Sequence, residues 1–177
     1  MTHQEILALA REAGFSAGLI PTSAILFDPG FRKYCAENLC GNFGANWSCP
    51  PDCGSPDQMA ARLTAYPTAL VLCSDHNIGD WRDRAAVAAA KGAHNRAALD
   101  LVRQLKEAGH PGVLAGGGPC DLCDVCARRA GGECLHPEEL FSCLSAYCVH
   151  VKALADAAGL TFSSEPGKTT FCGLYAF

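Results

Sequence analysis

The chain has no run of basic residues: 14 Lys and Arg stand against 18 Asp and Glu, for a formal net charge of −4. A nucleic-acid partner, which needs clustered cations to displace counterions, is therefore not supported. Nor is there an uncharged stretch long enough to cross a bilayer. Even the Ala-rich segment from Ala85 to Leu105 contains Lys91, Arg96, Asp100 and Arg103. Residues 1–14 lack the basic start and apolar run of a secretory signal, and carry His3, Glu5, Arg11 and Glu12 in an amphipathic pattern instead. The expectation is a cytoplasmic protein with no membrane contact. Also missing are a nucleophile signature and a carboxylate pair. The glycines at 116–118 lack the spacing and the Lys of a phosphate-binding loop. No internal repeat is present.

What the chain has in excess is cysteine, 12 in 177 residues. Its length suits one domain spanning 1–177 with a core of its own, and 49% hydrophobic with 18% charged residues is ordinary for a soluble protein. In a small secreted chain so many cysteines would imply disulfides. With no signal sequence, they are expected to be kept reduced for metal.

Residue patterns predict a helix over Thr2–Ala13, capped by Thr2 with Glu5 three residues on, and a strand over Phe15–Ile20. A short helix follows from Asp28-Pro29 into Cys35, then a loop from Glu37 to Pro56 with no period. Such a loop is uncommon in a compact domain unless something holds it, as a metal would. Ser55 and Asp57 open a helix to Tyr66, Thr68–Cys73 is a buried strand, and a long helix spans about Asp80 to Ala108. Val113–Ala115 is a strand that runs into Gly116-Gly-Gly-Pro119. Pro137–Leu144 and Val149–Ala158 are expected to be helical, with Leu160–Ser163 and Thr170–Phe177 as closing strands. This order fits the α+β class: a mixed sheet of about five strands with helices packed on it and two cysteine-rich loops, at 35–53 and 116–137.

The second loop holds Cys120, Cys123 and Cys126 in two successive C-x2-C steps, followed by Cys134. Such a triplet wraps three thiolates around one point, as ferredoxin-type loops do around the irons of a cubane. Zinc sites more often draw two knuckles from separated segments, so the spacing favours iron–sulfur. The first loop holds Cys35, Cys40, Cys49 and Cys53, with Gly, Asn and Pro between them. Its glycines let backbone approach the sulfurs, and Pro50 follows Cys49 as Pro follows a ligand in bacterial ferredoxins. Four buried, inert thiols are the bland reading of either set.

Other candidates weigh less. Trp47 could shield a centre from water or simply pack. Cys73 and Cys172 fall in apolar strands and read as packing. Cys143 and Cys148 could supply a replacement ligand, a disulfide or nothing. His136 could bind metal or mark a helix entry beside Pro137. His94 lies on the apolar stripe of the long helix, as a satisfied histidine at the edge of the core. His76 follows a strand end, where ligands often bind.

The blocks Phe27-Asp28, Arg32-Lys33-Tyr34-Cys35, Cys40, Phe43-Gly44-Ala-Asn-Trp-Ser-Cys-Pro-Pro51, Gly-Gly-Gly-Pro-Cys-Asp-Leu-Cys-Asp-Val-Cys126 and Cys134-Leu-His-Pro137 together resemble a family of cysteine-rich predicted metal-binding proteins of unknown function. The resemblance covers most of the chain. It implies that Cys35, Cys40, Cys49, Cys120, Cys123, Cys126 and Cys134 are metal-site residues. Cys53, Cys143 and Cys148 fall outside its pattern, so the fourth ligand of the first site stays open. A site of three thiols would leave an iron open to water or substrate and point to catalysis. A shorter likeness, in Ala-Gly-Phe-Ser-Ala-Gly-Leu-Ile20 and Ala-Leu-Val-Leu72, is to the epoxyqueuosine reductase group of iron–sulfur proteins. It does not extend to their corrinoid.

The leading expectation is an iron–sulfur protein with one or two [4Fe–4S] clusters, acting in electron transfer with a redox protein partner or as a small redox enzyme. A structural zinc module that serves protein interaction is the alternative. A thiol carrier of metal or sulfur is the second alternative, disfavoured by Asp121 and Asp124, whose charge raises thiol pKa. The residues name no substrate and set no oligomeric state.

Overall fold

A computed structural model describes residues 1–165 and 167–177. Helix α1 (His3–Glu12) begins as expected, because Thr2 and Glu5 form a reciprocal box: the Glu5 amide donates to Thr2 Oγ1 at 3.3 Å and the Thr2 amide to Glu5 Oε2 at 2.6 Å. Strand β1 (Ser16–Pro21) follows, then a 3₁₀ turn (Pro29–Phe31) leading into α2 (Arg32–Ala36). A second box, Ser55 with Gln58, starts α3 (Pro56–Thr64). Strand β2 (Thr68–His76) outruns its apolar stretch by three residues.

The long helix α4 is Arg84–Glu107, capped by Asp83, whose carboxylate accepts from the Ala86 amide at 3.0 Å. Asp80, the expected start, instead accepts from the Arg82 amide at 2.8 Å in the turn before it. The remaining elements are β3 (Val113–Gly116), β4 (Ser142–Cys143), α5 (Val151–Ala157), β5 (Ser164–Glu165) and β6 (Lys168–Ala176).

One open mixed sheet runs in the order β1-β2-β6-β3-β4, with β5 a short hairpin arm on β6. Among the described strands only β3 and β4 are parallel, pairing Ala115 with Ser142 and Gly116 with Cys143. Side chains alternate across β2, so the sheet has two buried faces. Leu70 and Leu72 meet Ile6, Leu101 and Leu105 of α1 and α4 on one face. On the other, Val71 and Cys73 meet Met59, Leu63 and Leu154 of α3 and α5. Covering both faces explains why β2 reads as an unbroken apolar run.

Two expectations are corrected. Pro137–Leu144 is not helical: Ser142 and Cys143 pair with β3, and the Leu144 amide donates to the Gly116 carbonyl at 3.1 Å. The sheet edge satisfies this backbone, and tertiary pairing overrides local propensity. Leu160–Ser163 forms no strand. Leu160 and Phe162 pack against the core, and the β arm begins only at Ser164. No described helix is long and apolar enough to cross a membrane.

Candidate metal centre

The first cysteine loop is held by short-range hydrogen bonds of its own. Phe43 N–H donates to Asn38 Oδ1 at 3.0 Å, Gly44 N–H to the Pro50 carbonyl at 2.8 Å, and Cys49 N–H to the Asn46 carbonyl at 2.9 Å. Gly44 takes a φ of +64°, where a Cβ would be strained. Cys35 comes from α2, Cys40 from the turns after it, and Cys49 from the segment before the cis Pro50–Pro51 bond.

These three thiols line one cavity of about 270 Å³, and the fourth cysteine in its wall is Cys143, not Cys53. Parallel pairing of β4 with β3 carries Cys143 there, setting it beside Gly116 just ahead of Gly117 and Gly118 in the same wall. The glycines serve close packing. A Cβ on Gly116 would meet Asn95 Oδ1 and Phe141 at 2.8 Å, and one on Gly117 would meet the His94 ring at 3.0 Å.

Cys53 is not in the wall of this cavity. It is buried among Met59, Leu63 and Tyr147, with its sulfur 3.7 Å from an Arg32 nitrogen. Cys148 is buried at a φ of +59°, its carbonyl accepting from the Asp28 amide at 2.8 Å, and is not in the cavity wall.

In the second loop all four expected cysteines, Cys120, Cys123, Cys126 and Cys134, line one small cavity of about 20 Å³, together with Asn46 and His136. Apart from Asn46, its walls belong to the connection between the parallel strands β3 and β4, which requires a long crossover. Among the described residues, no three His, Cys, Asp or Glu side chains close on a single point as tightly as one metal ion requires. The thiols instead surround the two cavities.

The loops are stitched to each other. Asn46 Nδ2 donates to the Cys120 carbonyl at 2.9 Å, and Trp47 Nε1 to the Gly132 carbonyl at 3.0 Å. Arg128 lies over the Trp47 ring at 5.1 Å and pairs with Asp52 at 2.9 Å, while Arg129 donates to the Gly41 carbonyl at 2.9 Å. Trp47 is thus a tie between the loops.

Burial pushes the Cys35 thiol up to about 11 and Cys49 up to about 12, and the nearby Cys143 adds to both. Burial likewise raises Cys120 and Cys143. Thiols raised in this way are neutral on their own, and a bound cation would make their thiolate form the stable one. Eight soft donors in two sets fit thiophilic metals, and one-electron chemistry is what an iron–sulfur group would supply there.

The residues outside the two sets resolve as follows. Cys73 and Cys172 lie directly opposite on β2 and β6, with Cα atoms 4.2 Å apart, and form a disulfide. The expectation that the cysteines are kept reduced is corrected for this pair: both pack in apolar strands as expected, but the bond between them needed the strand register. His94 is 1% exposed, and Ser74 Oγ bridges its Nδ1 at 2.7 Å to His76 Nε2 at 2.8 Å. Among the described residues His94 Nε2 has no partner.

No curated protein and no solved structure matches the chain. Residues 18–176 match the family model described as predicted metal-binding protein (DUF2284). That span takes in every cysteine of both sets, and the chain belongs to this cysteine-rich family of predicted metal-binding proteins.

Proposed function

We propose that the protein is an iron–sulfur protein with two [4Fe–4S] clusters, one held by Cys35, Cys40, Cys49 and Cys143, the other by Cys120, Cys123, Cys126 and Cys134. The observation that carries this reading is the arrival of Cys143 beside three loop cysteines around a cavity of about 270 Å³. That is far more room than one ion needs with sulfurs at about 2.3 Å. The C-x2-C-x2-C spacing supports the same assignment for the second set.

A bound cluster supplies one-electron transfer. The chain's own contribution is to exclude water from the buried Cys49 and to fix the loops against each other through Asn46 and Trp47. Four thiols per set favour electron transfer, to a redox protein partner or within a small redox enzyme, over substrate bound at an open iron. The ten free cysteines suit the reducing cytoplasm, although the Cys73–Cys172 disulfide is uncommon there.

The narrowness of the second cavity, about 20 Å³, favours one alternative there: a single tetrahedral zinc that closes the loop, for which the four thiols would have to draw closer than they stand here. Iron, acid-labile sulfide and zinc per chain on anaerobically purified protein separate these readings. About eight irons with matching sulfide supports two clusters, and about four irons with one zinc supports the mixed protein. Zinc alone overturns the iron–sulfur reading. Cys123→Ser is expected to empty the second site only.

A further inference from the structure

Next to the first thiol cavity, a cleft of about 380 Å³ opens between the cysteine loop and the N-terminal half of α4. The two voids share Cys40 and Lys91 in their walls, so whatever occupies the cleft lies against the first cysteine set. Its floor is one face of α4, formed by Arg84, Ala88 and Lys91 at i, i+4 and i+7.

The charge of this face runs against that of the chain. The whole protein carries −4, yet Arg84 and Lys91 both line the cleft, and neither makes an ion pair among the described residues. Asp121, also in the wall, is the one carboxylate there, which leaves the two cations in excess. Two cations on a concave surface are a binding arrangement for an anionic group.

The rim supplies the rest of the recognition. Trp81 is 49% exposed and Leu39 72%, both large apolar side chains lining the cleft. Trp81 is held by an edge contact to Phe171 with ring centroids 6.1 Å apart, which keeps its indole available as a platform. A volume of about 380 Å³ is in the range of small-molecule sites and too small for a folded partner.

We propose that this cleft binds a small organic anion, a carboxylate or phosphate on a planar apolar body, with Arg84 and Lys91 taking the charge and Trp81 and Leu39 the body. The inference rests on the cleft's own side chains and does not depend on which metal the thiols hold.

The test is calorimetric titration of the anaerobically purified protein with phenyl phosphate, benzoate and the neutral benzamide, with metal content measured on every sample. At least one anion is expected to bind, about tenfold or more tighter than benzamide, and the stronger anion names the headgroup. Arg84→Gln and Lys91→Gln should each weaken binding about three- to tenfold. Ala88→Phe, at an exposed helical position on the floor, should abolish it without changing the metal content. Arg84→Gln, likewise at an exposed position, serves if Ala88→Phe does not fold.

Absence of binding by both anions at about 10 mM, benzamide binding as tightly as the anions, or wild-type affinity in a folded Ala88→Phe would each overturn the proposal. Anion binding by a protein that proves to hold only zinc would leave it standing while the iron–sulfur reading fell.

Discussion

The backbone amide of Cys120 donates to Ser48 Oγ at 3.1 Å. The first residue of one cysteine set is thereby anchored by the neighbour of Cys49, a member of the other. Ser48 is fully buried, and the Asn46 carboxamide receives its amide at 3.0 Å while donating to the Cys120 carbonyl. The two sets are therefore one mechanical unit, and disturbing the link should be felt on both sides.

Ser48→Ala leaves the Cys120 amide without its acceptor. A buried unsatisfied donor costs about 1–3 kcal/mol. The expected outcome is a fall in stability of that size by denaturant unfolding, with both metal centres released together and earlier than in the wild type. Release of one centre alone would show that the loops act separately.

Cys143→Ser and Cys53→Ser should part company. Loss of Cys143 removes a wall of the first thiol cavity, and metal content should fall by one centre. Loss of the Cys53 thiol, packed among Met59, Leu63 and Tyr147, should leave metal content intact and cost about 1–2 kcal/mol of stability. Elemental analysis of the two variants decides it, and the reverse pattern would restore Cys53 as a ligand.

His94 sets a pH dependence of stability. Burial pushes its pKa down to about 4 from 6.5, with the nearby His76 adding to the shift. The unfolded chain therefore binds a proton that the folded one refuses. Stability from this group is complete above about pH 6.5 and is lost as pH falls through about 4, a change of order 3 kcal/mol. Denaturant midpoints between pH 7 and pH 5 should fall in the wild type and stay flatter in His94→Gln.

The disulfide between Cys73 and Cys172 joins residues 99 apart in sequence. Chain-entropy reasoning gives such a link about 4–5 kcal/mol. Intact mass after alkylation without reductant should show two cysteines protected. Unfolding of the Cys172→Ser protein should occur at clearly lower denaturant than that of the oxidised wild type. Equal midpoints would mean that the two thiols contribute packing alone.

Much of this protein can be read from residue order, because the relevant physics is local. Thr2 with Glu5 and Ser55 with Gln58 satisfy the first amides of their helices within three residues. Thr68–Cys73 declares a strand covered on both faces by its apolar run. Cys120, Cys123, Cys126 and Cys134 come together within one loop, so their spacing alone brings all four to one cavity. Cys143 carries no such signal. It reaches Cys35, Cys40 and Cys49 only because β4 pairs in parallel with β3, and a long-range ladder leaves no short-range spacing to read. The same holds for Cys73 opposite Cys172, for Cys53 outside the wall of the first thiol cavity, and for Arg84 and Lys91 facing the cysteine loop across a cleft. Each depends on which surfaces meet when the sheet assembles. That pairing is chosen by the summed burial of residues far apart in the chain, and no single stretch of sequence contains it.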